Sequence, residues 1–239
     1  MDKRLQEIMD SLEKMKIGVD DSFKFQCKQC GSCCINREDI LLEPRDIYDI
    51  SKELGLTPDE MCKQYCESYI GPDSRVPIVR LKPRGSIKRC PLLKDRKCGV
   101  HRSKPLVCAL FPIGRCLMVD QESAGQKKFK VEDISFIFNG AECGANTEES
   151  HTVREWLTEF GIPVEDEFFI KWQNVVMEIG EAFRKMEKRV KPETMQMVWT
   201  AAIAGLYLHY DTAKEFLPQF EENAAKYLDI LRTVFPKSS

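Results

Sequence analysis

Helical spacing of apolar residues is the clearest pattern in the chain, and it dominates the C-terminal region. Residues 165–190, 193–210 and 219–235 each carry apolar side chains at helical spacing, and prolines separate the three segments. Residues 1–17 carry a similar amphipathic stripe, which Gly18 ends. The pattern therefore predicts an N-terminal helix and a C-terminal group of helices.

Glycine and proline interrupt the sequence repeatedly between these helical stretches, which favours short elements and loops. Residues 44–54 have the pattern of a short helix. Thr57 and Glu60 have the spacing of a capping box, so a second helix is predicted to begin there. Alternating and β-branched residues predict strands at 74–81 and 128–138.

These elements predict an α+β protein in which a small, irregular cysteine-cluster metal domain is followed by an α-helical region. We expect three regions along the chain. They are an N-terminal amphipathic helix at 1–22, a cysteine-cluster metal-binding domain at 23–146 and an α-helical region at 147–239.

Composition and charge exclude several classes of protein. The chain has 239 residues, 43% hydrophobic and 31% charged, with a formal net charge of −2. Its overall charge therefore gives no reason to expect a nucleic-acid partner. The start has no stretch resembling a secretory signal, and no run approaches the roughly 18 apolar residues of a membrane span. We expect a soluble, cytoplasmic protein.

The placement of the 11 cysteines adds chemistry to this picture. All of them lie between Cys27 and Cys143. An odd number in a reducing compartment argues against a disulfide framework. Cysteines that only fill the core as small apolar residues would not leave the C-terminal region empty. The clustering indicates metal or redox chemistry.

The densest group is Cys27-Lys-Gln-Cys30-Gly-Ser-Cys33-Cys34. Its first three cysteines have the spacing that begins a bacterial ferredoxin run, and thiolates suit zinc or iron–sulfur centres with four ligands. Adjacent side chains diverge both in an extended chain and in a helical turn. We therefore predict that Cys33 joins Cys27 and Cys30 at one centre, while Cys34 points toward a second site. The partners of Cys34 there are expected to come from Cys90, Cys98, Cys108 and Cys143. The alternative is a single centre with Cys34 buried beside it.

Cys90, Cys98 and Cys108 form the second half of the pattern. They are too far apart along the chain to chelate a metal locally. The fold must bring them to other ligands, so metal binding is expected to be coupled to folding.

Four motifs follow one another in order: Phe25-Gln-Cys27-x-x-Cys30-Gly-x-Cys33-Cys34, Cys90-Pro-Leu-Leu, Cys98-x-Val-His and Lys-Pro-x-x-Cys108-x-x-Phe-Pro. Over about residues 23–146 the chain resembles the CxxCxxCC cysteine-cluster family of YkgJ-like proteins, a zinc- or iron-chelating family. The resemblance implies metal ligands at Cys27, Cys30, Cys33, Cys34, Cys90, Cys98, Cys108 and Cys143.

Flagellin lysine N-methylases share this domain, so the resemblance also implies protein lysine methylation, with a protein as substrate. Three positions depart from the family pattern: arginine is usual where this chain has Lys104 and Ala109, and tyrosine is frequent at His101. If those arginines contact a substrate or partner, this chain lacks that contact. The chain has no dinucleotide-binding, P-loop or zinc-protease signature.

Three hypotheses about function follow. The number of cysteines and the ferredoxin-like spacing favour an iron–sulfur protein, with a [4Fe–4S] cluster that serves redox chemistry or binds a substrate. The second hypothesis is a structural zinc module whose helical part binds another protein. The third is a lysine N-methylase-like enzyme that uses the cysteine site to bind its methyl donor.

Other residues leave alternatives open. Cys62 and Cys66 are four positions apart on a predicted helix, where core packing competes with metal binding. Cys116 and His101 are further candidate ligands. Segment 74–104 has 11 basic residues and one acid, which suits cations beside a negative metal site, an anionic partner or a solvated basic face.

Overall fold

The computed structural model describes residues 3–118, 128–141 and 143–234. In this part of the chain helices alternate with short strands, so the predicted α+β class is confirmed. The helices are α1 (Lys3–Met15), α2 (Pro44–Leu54), α3 (Pro58–Tyr65), α4 (Leu106–Leu110), α5 (Val153–Glu159), α6 (Glu167–Met186), α7 (Pro192–Ile203) and α8 (Phe216–Val234). The strands are β1 (Lys16–Ile17), β2 (Ser22–Lys24), β3 (Leu41–Leu42), β4 (Cys66–Ile70), β5 (Pro77–Leu81), β6 (Leu93–Lys94), β7 (Lys97–Cys98), β8 (Ile113–Leu117), β9 (Ile134–Phe138) and β10 (Ser150–Thr152).

The described strands form small separate antiparallel sheets. β9 pairs with β1 and β8, β5 pairs with β3 and β4, and the pairs β2–β10 and β6–β7 form two-stranded ribbons. The predicted strands at 74–81 and 128–138 are present as β5 and β9, but both are shorter than predicted. A 3-10 turn at Val131–Asp133 delays the start of β9.

The predicted boundaries of two short helices are confirmed, whereas α1, α6 and α7 end earlier than predicted, at Met15, Met186 and Ile203. α2 spans the predicted residues, and the Thr57–Glu60 capping box begins α3. α8 begins before Pro218, which lies in its first turn, where a missing N–H donor costs no helical hydrogen bond. The helices predicted at 1–17 and 219–235 extend to residues 1, 2 and 235, which lie outside the described residues.

The chain divides into two compact units, each built from two segments. Unit 1 comprises Met1–Cys30 and Val107–Ile170, and unit 2 comprises Gly31–Leu106 and Lys171–Ser239. The three regions expected from the sequence stay a prediction.

Unit 1 has an aromatic core. The ring of Trp156 meets those of Phe23 and Phe25 edge-on at centroid distances of 5.9 and 5.5 Å, and Phe25 meets Phe111 at 5.6 Å. Trp156 also donates its indole N–H to the carbonyls of Ala109 and Leu110, each at 3.1 Å. These contacts join β2, α5 and the end of α4.

In unit 2 the C-terminal helices pack against α2, α3 and the sheet that contains β5. Ile47, Met61, Ile179 and Phe183 are fully buried, and Phe220 is 1% exposed. Among the helices of the described residues, none is long and apolar enough to cross a membrane.

Candidate metal centre

The eight cysteines implied by the family resemblance divide equally between the two units. The unit-2 set comprises Cys33, Cys34, Cys90 and Cys98. The unit-1 set comprises Cys27, Cys30, Cys108 and Cys143. Sequence spacing could not reveal this division, because the unit boundary lies inside the first motif, between Cys30 and Gly31.

A glycine in the left-handed backbone conformation precedes the turn that contains Cys33 and Cys34. Ser32–Cys34 forms a 3-10 turn, and Gly31 before it has φ = 75°. A Cβ atom on Gly31 would lie 3.2 Å from the carbonyl oxygen of Arg96. Glycine is therefore required here both by the backbone conformation and by the close approach of a second segment.

The sulfurs of Cys33 and Cys34 lie 4.0 Å apart, within hydrogen-bonding contact. The predicted divergence of these two side chains is therefore wrong. The prediction considered only the directions in which Cβ atoms leave the backbone. Rotation about χ1 moves each sulfur, and in this turn it brings the two together.

Backbone N–H groups point at the sulfurs of the other two cysteines of the unit-2 set. The amides of Leu92 and Leu93 donate to Cys90 Sγ, and the amide of Val100 donates to Cys98 Sγ. The Cys90 amide donates to the carbonyl of Cys34 at 2.8 Å, which ties the two loops of the set together. Such amide donors stabilise a thiolate, and they resemble the outer-shell contacts of metal-bound sulfur.

A tight hairpin positions Cys98. β6 and β7 pair Leu93 with Cys98, and both turn residues, Asp95 and Arg96, have positive φ values of 49° and 62°. Two successive positive φ values are the geometry of a type I′ turn, whose twist matches that of the strands. The hairpin thus brings Cys98 back toward the Cys90 loop.

The electrostatic environment differs among these thiols. The hydrogen bond with Cys34, helped by Arg37 and Lys104, lowers the pKa of Cys33 to about 6, so its sulfur is largely a thiolate at neutral pH. Burial raises the pKa of Cys90 and Cys98, and the charge of Cys33 adds to both effects. Lys104 opposes the rise at Cys98. The position where the family usually has arginine therefore supplies a cation to the unit-2 set.

The segments that carry the unit-1 set pack around its aromatic core. The amide of Gln26, next to Cys27, donates to the Gly144 carbonyl, next to Cys143, at 2.9 Å. Gly144 has φ = 79°, and a Cβ there would lie 2.5 Å from the Gln26 carbonyl oxygen. Cys108 lies in α4, whose last carbonyls bind Trp156.

The structure brings the predicted ligands together only in part. Within residues 3–118, 128–141 and 143–234, no group of three or more His, Cys, Asp or Glu side chains has a metal-binding arrangement. None of the cysteines, all of which lie in those ranges, is disulfide-bonded. The four thiols of the unit-2 set, with their amide donors and neighbouring cations, nevertheless have the donor chemistry of a thiolate metal site. The individual ligand assignments stay a prediction.

The other candidate ligands lie apart from these sets. Cys116 is in β8 and donates to the Ser135 carbonyl at 3.6 Å, and burial raises its pKa. His101 is exposed. Cys62 lies in the last turn of α3, whereas Cys66 has left the helix and begins β4, so the prediction that both lie on one helix is wrong. The amide donors at Cys90 and Cys98 have no sequence signal, because any residue type supplies a backbone N–H.

The fold and these thiol sets define a protein with a cysteine-rich metal-binding segment. Residues 26–134 match the model of the CxxCxxCC family, described as "Putative zinc- or iron-chelating domain", which confirms the resemblance seen in the sequence. The chain is also similar to the uncharacterized protein MJ0661 of Methanocaldococcus jannaschii, at 24% identity over 182 residues that cover 63% of this chain and 94% of that one. No solved structure matches the chain.

Proposed function

We propose that this protein is a thiolate metalloprotein and that the unit-2 set binds one metal ion through four sulfurs. The observation that carries the proposal is the 4.0 Å separation between the Cys33 and Cys34 sulfurs. Tetrahedral zinc with zinc–sulfur distances of about 2.3 Å holds its sulfurs about 3.8 Å apart. The adjacent cysteines are therefore spaced for two ligands of one ion.

This geometry favours zinc over the iron–sulfur cluster that the sequence spacing suggests. Each cysteine of a [4Fe–4S] cluster binds a different iron, so its sulfurs lie farther apart than those sharing one ion. Ligands with exclusively sulfur donors and tetrahedral spacing are typical of structural zinc.

Charge in the surrounding residues supports a thiolate metal site at the unit-2 set. Four thiolates on a divalent ion carry a net charge of −2, which requires compensation when the site is half-buried. The amides of Leu92, Leu93 and Val100 donate to the sulfurs, and Lys104 acts on both Cys33 and Cys98. These groups stabilise the deprotonated ligands without being ligands themselves.

We assign a second metal to the unit-1 set. Its support is the pairing of Gln26 with Gly144, which holds the neighbours of Cys27 and Cys143 together. The four cysteines of this set match the usual number of ligands at a thiolate centre.

The proposed role of the metals is structural. They stabilise irregular loops that contain few regular backbone pairs, and the organised surface binds a protein partner. A cytoplasmic location is part of the proposal, because reduced thiols persist in a reducing compartment. No contact in the described residues favours the lysine methylase alternative.

Elemental analysis of anaerobically purified protein tests the metal assignment. We expect colourless protein with zinc and without acid-labile sulfide. Replacing zinc with Co(II) should give the visible ligand-field absorption of a tetrahedral thiolate site. Brown protein that contains iron and acid-labile sulfide would instead assign an iron–sulfur cluster.

Paired variants test the division into two sets. Cys34→Ser should lose the unit-2 metal and retain the other, and Cys143→Ser should do the reverse. Cys116→Ser, which changes a half-buried cysteine outside both sets, should retain both metals. If Cys34→Ser leaves metal content unchanged, or removes all metal, the proposed assignment of independent sets is wrong.

A further inference from the structure

A methionine and two cysteines that belong to neither cysteine set lie near one another in unit 2. Cys66 Sγ is 3.6 Å from Met61 Sδ, and the Cys66 amide donates to the Cys62 carbonyl. The cluster sits where α3 ends and β4 begins. We refer to Met61, Cys62 and Cys66 as the sulfur triad.

From this cluster we propose that the sulfur triad is a binding site for a soft monovalent cation, with Cu(I) as the natural occupant. Thiolate and thioether ligands select Cu(I), because soft sulfur donors match its electronic preference. A site that combines two cysteines with a methionine contains no oxygen or nitrogen donor for harder ions. The proposal goes beyond the thiolate centres and does not depend on them.

The geometry fits a trigonal site. With metal–sulfur distances of about 2.3 Å, as in zinc thiolates, three sulfurs around one ion lie about 4 Å apart. The Cys66–Met61 separation of 3.6 Å is close to that spacing, so small side-chain rotations suffice to admit the ion. The neighbouring thiol of Cys62 raises the pKa of Cys66.

The backbone and the burial of the triad make it a formed site rather than a surface pair. Met61 is fully buried, and both cysteines are half-buried. The Cys66 amide donates to the Cys62 carbonyl, and Cys66 pairs with Leu81 across β4 and β5. The two cysteines are therefore held by the backbone, whereas flexible helix-surface cysteines would have to be ordered by the metal. The carbonyl end of α3 also favours a bound cation.

Binding requires no redox step. Cu(I) displaces the two thiol protons into solvent, and it is bound by two thiolates and one neutral thioether. The resulting site carries one net negative charge, smaller than that of a four-thiolate zinc centre. A partly buried location therefore suits it.

Copper stoichiometry of the full-length chain tests the proposal. Purified protein is titrated anaerobically with Cu(I) supplied from a bicinchoninate buffer. The double variant Cys62→Ser, Cys66→Ser should bind one Cu(I) fewer than the unaltered chain. Cys116→Ser should bind the same number as the unaltered chain. Equal binding by the double variant and the unaltered chain would overturn the proposal.

A second measurement needs no variant and keeps the test informative if the double variant fails to fold. The full chain is treated with iodoacetamide with and without one equivalent of Cu(I), and mass spectrometry follows each cysteine. Cu(I) should slow alkylation of Cys62 and Cys66 and leave that of Cys116 unchanged. Unchanged alkylation of Cys62 and Cys66 would contradict the site, whatever metal the other cysteines hold.

Discussion

Two parts of unit 2 are held together by different forces. The helical part, α6 from Lys171 onward with α7 and α8, buries large apolar side chains, including Phe183 at 0% and Phe220 at 1% exposure. The cysteine loop, residues 82–104, exposes most of its side chains. Between 82 and 100 its buried side chains are Pro91, Leu92 and Val100.

This difference shows why the thiols matter for one part and not for the other. Burial of a large apolar side chain contributes about 1.5–3 kcal/mol, so the helical part has enough apolar contact to be stable on its own core. The cysteine loop has short strands, tight turns and few buried residues, which do not offset the entropy of ordering it. A metal at the proposed unit-2 site would supply further stabilisation.

Removal of metal should produce the largest difference in stability between the cysteine loop and the helical part. Structural zinc contributes on the order of 10 kcal/mol to the folding of small zinc domains. After treatment with a chelator, amides of the cysteine loop should lose protection from hydrogen exchange, whereas those of α6–α8 should keep it. Peptide-resolved hydrogen exchange by mass spectrometry makes the measurement.

Readdition of zinc after chelation is the control and should restore protection of the loop. Equal loss of protection in the loop and in α6–α8 would show that the two parts are not stabilised separately.

A substitution in the helical core should produce the opposite pattern. Phe183→Ala removes a fully buried ring from α6 and should lower the free energy of unfolding by about 3–5 kcal/mol. Metal content should not change. The measurement is denaturant unfolding combined with elemental analysis. Met197→Ala, at a side chain that is 73% exposed, is the matched control and should have little effect. Loss of metal from Phe183→Ala would show that the centre depends on the helical core.

Two glycines with positive φ allow a test of how the backbone next to the cysteine loop affects zinc affinity. Gly31→Ala and Gly55→Ala both force alanine into positive φ, at a cost of about 1–2 kcal/mol. Only at Gly31 does the added Cβ meet another segment, the Arg96 carbonyl. A further strain of about 1.4 kcal/mol in the metal-bound state corresponds to tenfold weaker binding.

We therefore expect Gly31→Ala to bind zinc about tenfold more weakly, whereas Gly55→Ala should keep the affinity of the unaltered chain. Competition with a zinc-binding dye measures both. Equal affinities in the two variants would mean that the approach of Arg96 to Gly31 does not shape the site.

The sequence predicts best the elements whose signals are local. α2 and α3 were predictable because Gly55 and the Thr57–Glu60 box fix their ends through neighbouring backbone groups. The short strands β6 and β7 were not predicted, because their two-residue lengths carry no periodicity.

The candidate site shows the same limit. Motif spacing identifies the cysteines, but the 4.0 Å contact of Cys33 with Cys34 depends on side-chain rotation in one turn. The division of the cysteines into two sets depends on which segments pack together, and contacts between distant segments leave no mark on local spacing. The sequence pattern likewise does not show that Cys66 leaves the helix and begins β4.

The smallest predicted effect concerns the ion pair between Arg75, which precedes β5, and Glu187, which follows α6. Arg75 contacts Glu187 with nitrogen–oxygen distances of 2.7 and 2.5 Å, and the Arg75 carbonyl accepts a hydrogen bond from Trp199 at 3.0 Å. The hydrogen bond from Arg75 holds the pKa of Glu187 below its ordinary value of 4.5. Because the folded-state pKa is depressed, the stabilisation is fully present above pH 4.5 and is lost as the pH falls through the folded-state pKa.

Glu187→Gln should therefore lower Tm slightly and by a constant amount at neutral pH, and this difference should shrink at acidic pH. Thermal unfolding across a pH series measures this Tm difference. Glu193→Gln, which removes an exposed carboxylate, is the control. A Tm difference that persists unchanged in acid would show that Glu187 acts through its shape or hydrogen bonds and not through its charge.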